Sequence, residues 1–191
     1  MTTSAAERVQ KLWREIDAWF EEHGAAQNLR ARRPGASERA LAGLERATGV
    51  ALPADYRASL AVHDGGGYFE SYEYLSIAGV ARVWQGWHDA QASGELAKRP
   101  MVAPGAVDRW WSDGWLPFAA DSCGNLHCID AGPRPRLLAL ETQDAQGVYV
   151  LRGPKTFADW LGAYRDKLAS GALAVDDEGF VDEPRLRPSV E

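Results

Sequence analysis

The sequence has little of several things, and each shortage removes a class of function. Only two cysteines, Cys123 and Cys128, occur in 191 residues. That is too few for the disulfide framework of a small secreted domain. Positive charge is the minority sign: 21 Lys and Arg against 27 Asp and Glu leave a formal net charge of −6. Nucleic-acid binding needs cations that displace condensed counterions, so this balance opposes it. No uninterrupted apolar run is long enough for a membrane span. Met1–Trp13 carries charges early and has no apolar h-region, so it does not read as a signal peptide. A cytoplasmic location is expected. Gly-x-Ser-x-Gly, a Walker loop, a dinucleotide fingerprint and His-Glu-x-x-His are all missing, and no enzyme activity or cofactor is expected.

What is present is a globular composition, 46 % hydrophobic, with an excess of Trp. Eight indoles can build a substantial core, with some left to grip a partner. Val9, Leu12, Trp13, Ile16, Trp19 and Phe20 recur at helical spacing and predict a helix over Ala5–His23. Ser4 with Glu7 is a capping box and Gly24 a stop. A basic connector over 24–35 follows, in which Arg30, Arg32 and Arg33 read as loop-solvating. A second helix is predicted over Ser37–Thr48 and a short third one from Pro53, ended by Gly65-Gly66-Gly67. That triplet reads as a chain reversal through positive φ.

The aromatic stretch Tyr68–Ile77 holds at least one strand, over Tyr72–Ile77, and a fourth helix spans Ile77–Ala92. Residues 93–113 are irregular, broken by Pro100, Pro104 and Gly105. Strands Trp115–Ala119 and Asn125–Asp130 flank a turn at Asp121–Gly124. A second pair, Leu137–Glu141 and Val148–Leu151, encloses a turn at 144–147. A last helix runs from Phe157 to about Leu168, with Thr156 and Asp159 as its capping box and Gly171 as its stop. Residues 176–191 read as a loose acidic tail. Helices first, a clustered antiparallel sheet later and a closing helix predict an α+β fold in one domain over 1–175.

The order of these blocks resembles the SUKH superfamily. Leu41 and Leu44, then Leu52-Pro53-Ala54-Asp55-Tyr56, then Leu60 and Gly65-Gly66, are similar to its opening signature. Trp115-Leu116-Pro117-Phe118-Ala119, Asp121, Gly124 and Ile129-Asp130 are similar to its second. Gly147-Val148 and the Phe157/Leu161 helix also fit, so the resemblance covers about 37–168. His63-Asp64 stands where an Asn often precedes the glycine pair, and Asn125 and His127 also depart from the pattern. The resemblance implies an α+β sheet with helices packed on it, a binding role and no shared catalytic residues. Many bacterial members look like immunity proteins that neutralise toxins; others look like regulatory interaction modules.

Cys123, His127 and Cys128 invite a metal or thiol reading, the least favoured alternative being a small hydrolase using Cys123 or Cys128, although nothing in the spacing of His23, His63, His88 and His127 selects a set. On a strand His127 and Cys128 face opposite ways and cannot easily share one ion. Cys128 is expected in the core and no metal is expected. Asp121 and Asp130 read as turn and strand-end acceptors. Trp84 and Trp87 read as core, whereas one of Trp110 and Trp111 is expected at the surface, since both cannot point inward from an extended chain.

The expected partner is a protein, a basic toxin domain foremost, with no nucleic acid and no membrane. The expected contact surface is a cleft or sheet face rimmed by Glu70, Glu73, Asp113 and Asp121, with Tyr68, Tyr72, Trp84 and Trp111 as aromatic anchors.

Overall fold

The first helix, α1 (Ala5–His23), begins where the sequence places it. The Ser4 hydroxyl accepts the Glu7 N–H, the Glu7 carboxylate accepts the Ser4 N–H, and Gly24 closes the helix in the left-handed region. The structure, a computed structural model, describes residues 4–101, 106–143 and 146–183. The breaks expected at Pro104 and Gly105, the centre of the turn over 144–147 and the last part of the tail, 184–191, lie outside the described residues. Among the described residues α1 is followed by the α-helices α2 (Ala26–Ala31), α3 (Glu38–Thr48), α4 (Ala54–Val62), α5 (Ile77–Ala92) and α6 (Phe157–Ser170).

Six strands form one antiparallel sheet in chain order: β1 (Tyr68–Phe69), β2 (Tyr72–Tyr74), β3 (Trp115–Ala120), β4 (Leu126–Asp130), β5 (Arg136–Glu141) and β6 (Gly147–Val150). The fold is α+β, as the order of elements predicts.

The sheet is buried on both sides, which fits its apolar strands. Side chains alternate across it. Leu116, Phe118, Ile129 and Leu137 join α1, α4 and α6 in one core. Trp115, Leu126, Cys128, Leu138 and Leu140 face the other way, into a second core with Trp84, Leu96, Trp110 and Trp111. A register shift between Pro117 and Ala119 lets β3 carry a proline inside the ladder.

The two signature blocks meet in the first core. Tyr56 lies 6.3 Å from Phe118, ring to ring, and Leu52 is buried in the same cluster. Pro53 sits one residue before the helix rather than in its first turn. Gly65, Gly66 and Gly67 all have positive φ, and a Cβ on Gly66 would stand 1.9 Å from the Ala31 carbonyl oxygen. Asp130 accepts from the Gly132 N–H and from Arg136 Nε, at 3.1 and 3.0 Å.

Four expectations are corrected. The connector over 24–35 contains α2, which packs on the glycine loop. Within it Arg32 does not solvate anything: its guanidinium lies 4.4 Å from the Trp13 ring centroid and donates to the Gly66 carbonyl at 3.2 Å. The tail does not begin at Asp176. Residues 174–182 form a hairpin, β7 (Ala174–Val175) with β8 (Val181–Asp182), whose buried Val181 donates its N–H to Asn28 Oδ1 at 3.1 Å. Trp110 and Trp111 are both buried, 5 % and 2 % exposed. The chain bends at Trp110 instead of running extended, so alternation of faces does not apply there.

Candidate functional site

On the α5 side of the sheet, the β1–β2 hairpin and the Asp121–Gly124 turn stand away from α5 and the short 3-10 turn Leu96–Lys98. The space between them is an open groove of about 890 Å³. The sequence of α5 explains its shape. Trp84 falls on the buried stripe and donates its indole N–H to the Asp113 carbonyl at 3.2 Å. One turn on, Trp87 falls beside that stripe and lies half-buried along the groove. Gly86 has open space where a Cβ would project, which widens the groove.

Tyr68, 44 % exposed, stands on the opposite bank. Glu73, Glu95 and Asp121 line the groove together with Arg82 and Arg99. The Arg99 guanidinium lies 5.6 Å from the Trp110 ring and 5.8 Å from Trp87. The rim therefore mixes both signs, where an acidic one was expected.

The eight residues expected to touch a partner do not share one surface. Tyr68, Glu73 and Asp121 line this groove. The Asp121 carboxylate also holds its own turn, accepting from the Cys123 and Asn125 N–H groups at 2.9 and 2.8 Å and from Asn125 Nδ2 at 2.8 Å. Gly124, with φ of +85°, completes that turn.

Trp84 and Trp111 are 6 % and 2 % exposed, inside the second core, and support the groove from beneath. Asp113 sits at the side of α5, 3.0 Å from His88 Nδ1. Sequence reasoning missed Trp87, Arg82, Glu95 and Arg99. The signal for Trp87 was its spacing, three residues past a tryptophan already committed to the core.

Glu70 and Tyr72 belong to the other face. There Tyr72 stacks on His127, ring centroids 4.1 Å apart and 15° from parallel. Both line a smaller pocket of about 360 Å³ with Trp160 and Tyr164 of α6. Burial pushes the Tyr72 hydroxyl up to about 12, and nearby Glu141 adds to it. Burial also holds the His127 imidazole down at about 4, so it is neutral at neutral pH. Glu70 has a φ of +57°, the one non-glycine residue in the left-handed region among those described, and Lys167 reaches it at 2.7 Å.

Cys128 is buried on the face opposite His127 and Cys123 is exposed in the turn. Among the described residues, no three of His, Cys, Asp and Glu gather as a metal-binding group. Nor is any helix long and apolar enough to cross a membrane.

Comparison with known proteins fits this geometry. The sequence profile of the SMI1 / KNR4 family (SUKH-1) matches residues 35–163, a span that runs from α3 into α6 and takes in both signature blocks. A cell wall biosynthesis and cell cycle regulator, smi1 of Schizosaccharomyces pombe, is 28 % identical over 89 % of this chain. A glucan synthesis regulatory protein of Neurospora crassa is 25 % identical over 94 % of it. The chain spans 38 % and 41 % of the lengths of these two relatives.

Proposed function

We propose that this chain, which belongs to the SMI1 / KNR4 family (SUKH-1), is a cytoplasmic, non-catalytic protein-binding domain that neutralises a toxin by covering it. The observation that carries the binding role is the groove on the α5 side. It is wide, open along its length and flanked by a half-buried indole and an exposed tyrosine, Trp87 and Tyr68. Large aromatics at a preformed concavity lose little entropy on binding and bury much area, so they favour slow release. The net charge of −6 speeds encounter with a basic toxin domain, while the mixed rim sets register. Inhibition follows from occupying the toxin's active site or blocking its substrate.

Co-expression with a toxin encoded beside this chain tests the reading. Protection of the host and a stable complex are expected, with Trp87→Ala and Tyr68→Ala together weakening both. Absence of protection and of a complex would remove the toxin reading.

A second reading rests on the relatives, both named as regulators: an interaction module that controls a cellular enzyme rather than a toxin. A locus without toxin or secretion genes, and a groove-dependent partner among the cell's own enzymes, would favour it.

A further inference from the structure

On the opposite side of the sheet, the chain gathers cations in a way its overall balance does not foretell. The β4–β5 loop and the segment leading to α6 enclose a groove of about 740 Å³ lined by Arg134, Arg136 and Lys155. Pro154 lines both this groove and the aromatic pocket, so the two adjoin there, and the pocket adds Arg152 and Lys167. Asp130 and Glu70 are the acids lining them. Asp130 is already bound to Arg136 and Glu70 to Lys167, at 3.0 and 2.7 Å. Arg134, Arg152 and Lys155 make no ion pair among the described residues and are exposed.

A chain with 27 acids and 21 Lys and Arg thus concentrates Arg134, Arg136, Arg152 and Lys155 where β4 ends, β5 begins and β6 ends. That run of charge leads into an aromatic pocket large enough for one side chain. Glu70, in the two-residue turn between β1 and β2, lines that pocket.

We infer that this surface docks an acidic peptide segment of a partner, with a bulky apolar side chain seated between Tyr72, Trp160 and Tyr164. The carboxylates of the segment pair with Arg134, Arg152 and Lys155. Lys167 and Glu70, paired at 2.7 Å, line the same pocket beside the anchor. A polyanion such as single-stranded nucleic acid suits the surface less well. The chain repels it overall, and the pocket offers room for one group rather than a track of stacked bases. The inference does not depend on the α5-side groove, which lies across the sheet.

The test is a two-dimensional NMR titration of the full chain with a synthetic twelve-residue Glu/Asp peptide carrying one central Phe. Three comparison probes are the same peptide with Ala for Phe, a Lys-rich peptide with Phe, and an oligothymidylate. The expected result is movement of the Trp160 indole N–H and of the Arg152 and Lys155 amides with the acidic Phe peptide. The affinity falls by about tenfold or more when Arg134, Arg152 and Lys155 are all changed to Glu. Ala163 lines the pocket and is exposed, so Ala163→Trp fills it without disturbing the core and abolishes the Trp160 shift. Shifts centred on Trp87 and Tyr68, equal binding of the Lys-rich peptide, tighter binding of the oligothymidylate, or no shift at millimolar peptide would each overturn the inference.

Discussion

Asp55 accepts the backbone N–H of Ala158 at 2.9 Å, across 103 residues of chain. Its other oxygen accepts the Tyr56 N–H, also at 2.9 Å. Ala158 is the second residue of α6, where no carbonyl inside the helix can receive its N–H. One carboxylate therefore ties the Leu-Pro block to the closing helix and satisfies a buried donor. Asp55→Ala leaves that donor unpaired and costs about 1–3 kcal/mol. Asp55→Asn keeps an acceptor oxygen and costs less. Urea unfolding should show a lower midpoint with an unchanged slope for both variants, in that order.

Gly24 and Gly66 both have positive φ, +73° and +84°, but their surroundings differ. A methyl at Gly24 meets nothing within 4 Å, whereas at Gly66 it meets the Ala31 carbonyl. Gly24→Ala then pays only the left-handed strain, about 1 kcal/mol. Gly66→Ala forces α2 away from the loop and costs about 3 kcal/mol or more. It also pulls Arg32 from its place over Trp13. A thermal melt of the two variants side by side checks the difference; equal losses would mean α2 is not docked as described.

What was legible in the sequence was what neighbours in sequence decide. The Ser4/Glu7 and Thr156/Asp159 boxes and the glycine stops at Gly24 and Gly171 set the ends of α1 and α6 through contacts within four residues. The Asp121 turn was legible for the same reason. What failed depends on partners far along the chain. Arg32 looks like a surface arginine until Trp13 and Phe20 are placed under it. Val181 looks like part of a tail until Asn28 receives its N–H. Trp84 and Trp87 differ only in which side of a stripe they fall on, and the sheet they face decides that.

His127 supplies a pH dependence. Burial lowers its folded value to about 4 from 6.5, while the charges of Glu70 and Asp121 oppose this weakly. In the unfolded chain the imidazole takes its proton near 6.5, so below that pH the unfolded state binds more protons than the folded one. The stabilisation is complete above pH 6.5 and is lost as pH falls toward 4. Its size is on the order of 3 kcal/mol. His127→Phe keeps a ring against Tyr72 and removes the titration. Unfolding free energies measured between pH 7 and pH 4.5 should fall less steeply for the variant than for the parent chain; parallel slopes would place the proton elsewhere.

The two thiols should behave as chemical opposites. Cys123 is exposed in the turn, whereas burial in the second core pushes the Cys128 thiol well above its ordinary range. The thiolate is the reactive form, so Cys128 is screened twice, by access and by protonation. A disulfide reagent such as Ellman's should titrate one thiol per folded chain and two in denaturant. Cys123→Ser should leave the folded chain unreactive. Rapid reaction of Cys128 in the native state would mean that α5 lifts from the sheet. Because the α5-side groove is built on that contact, the same opening would change its width. Labelling of Cys128 therefore reports on whether the groove is preformed: if it is, the residual rate stays slow, and a partner bound in the groove slows it further.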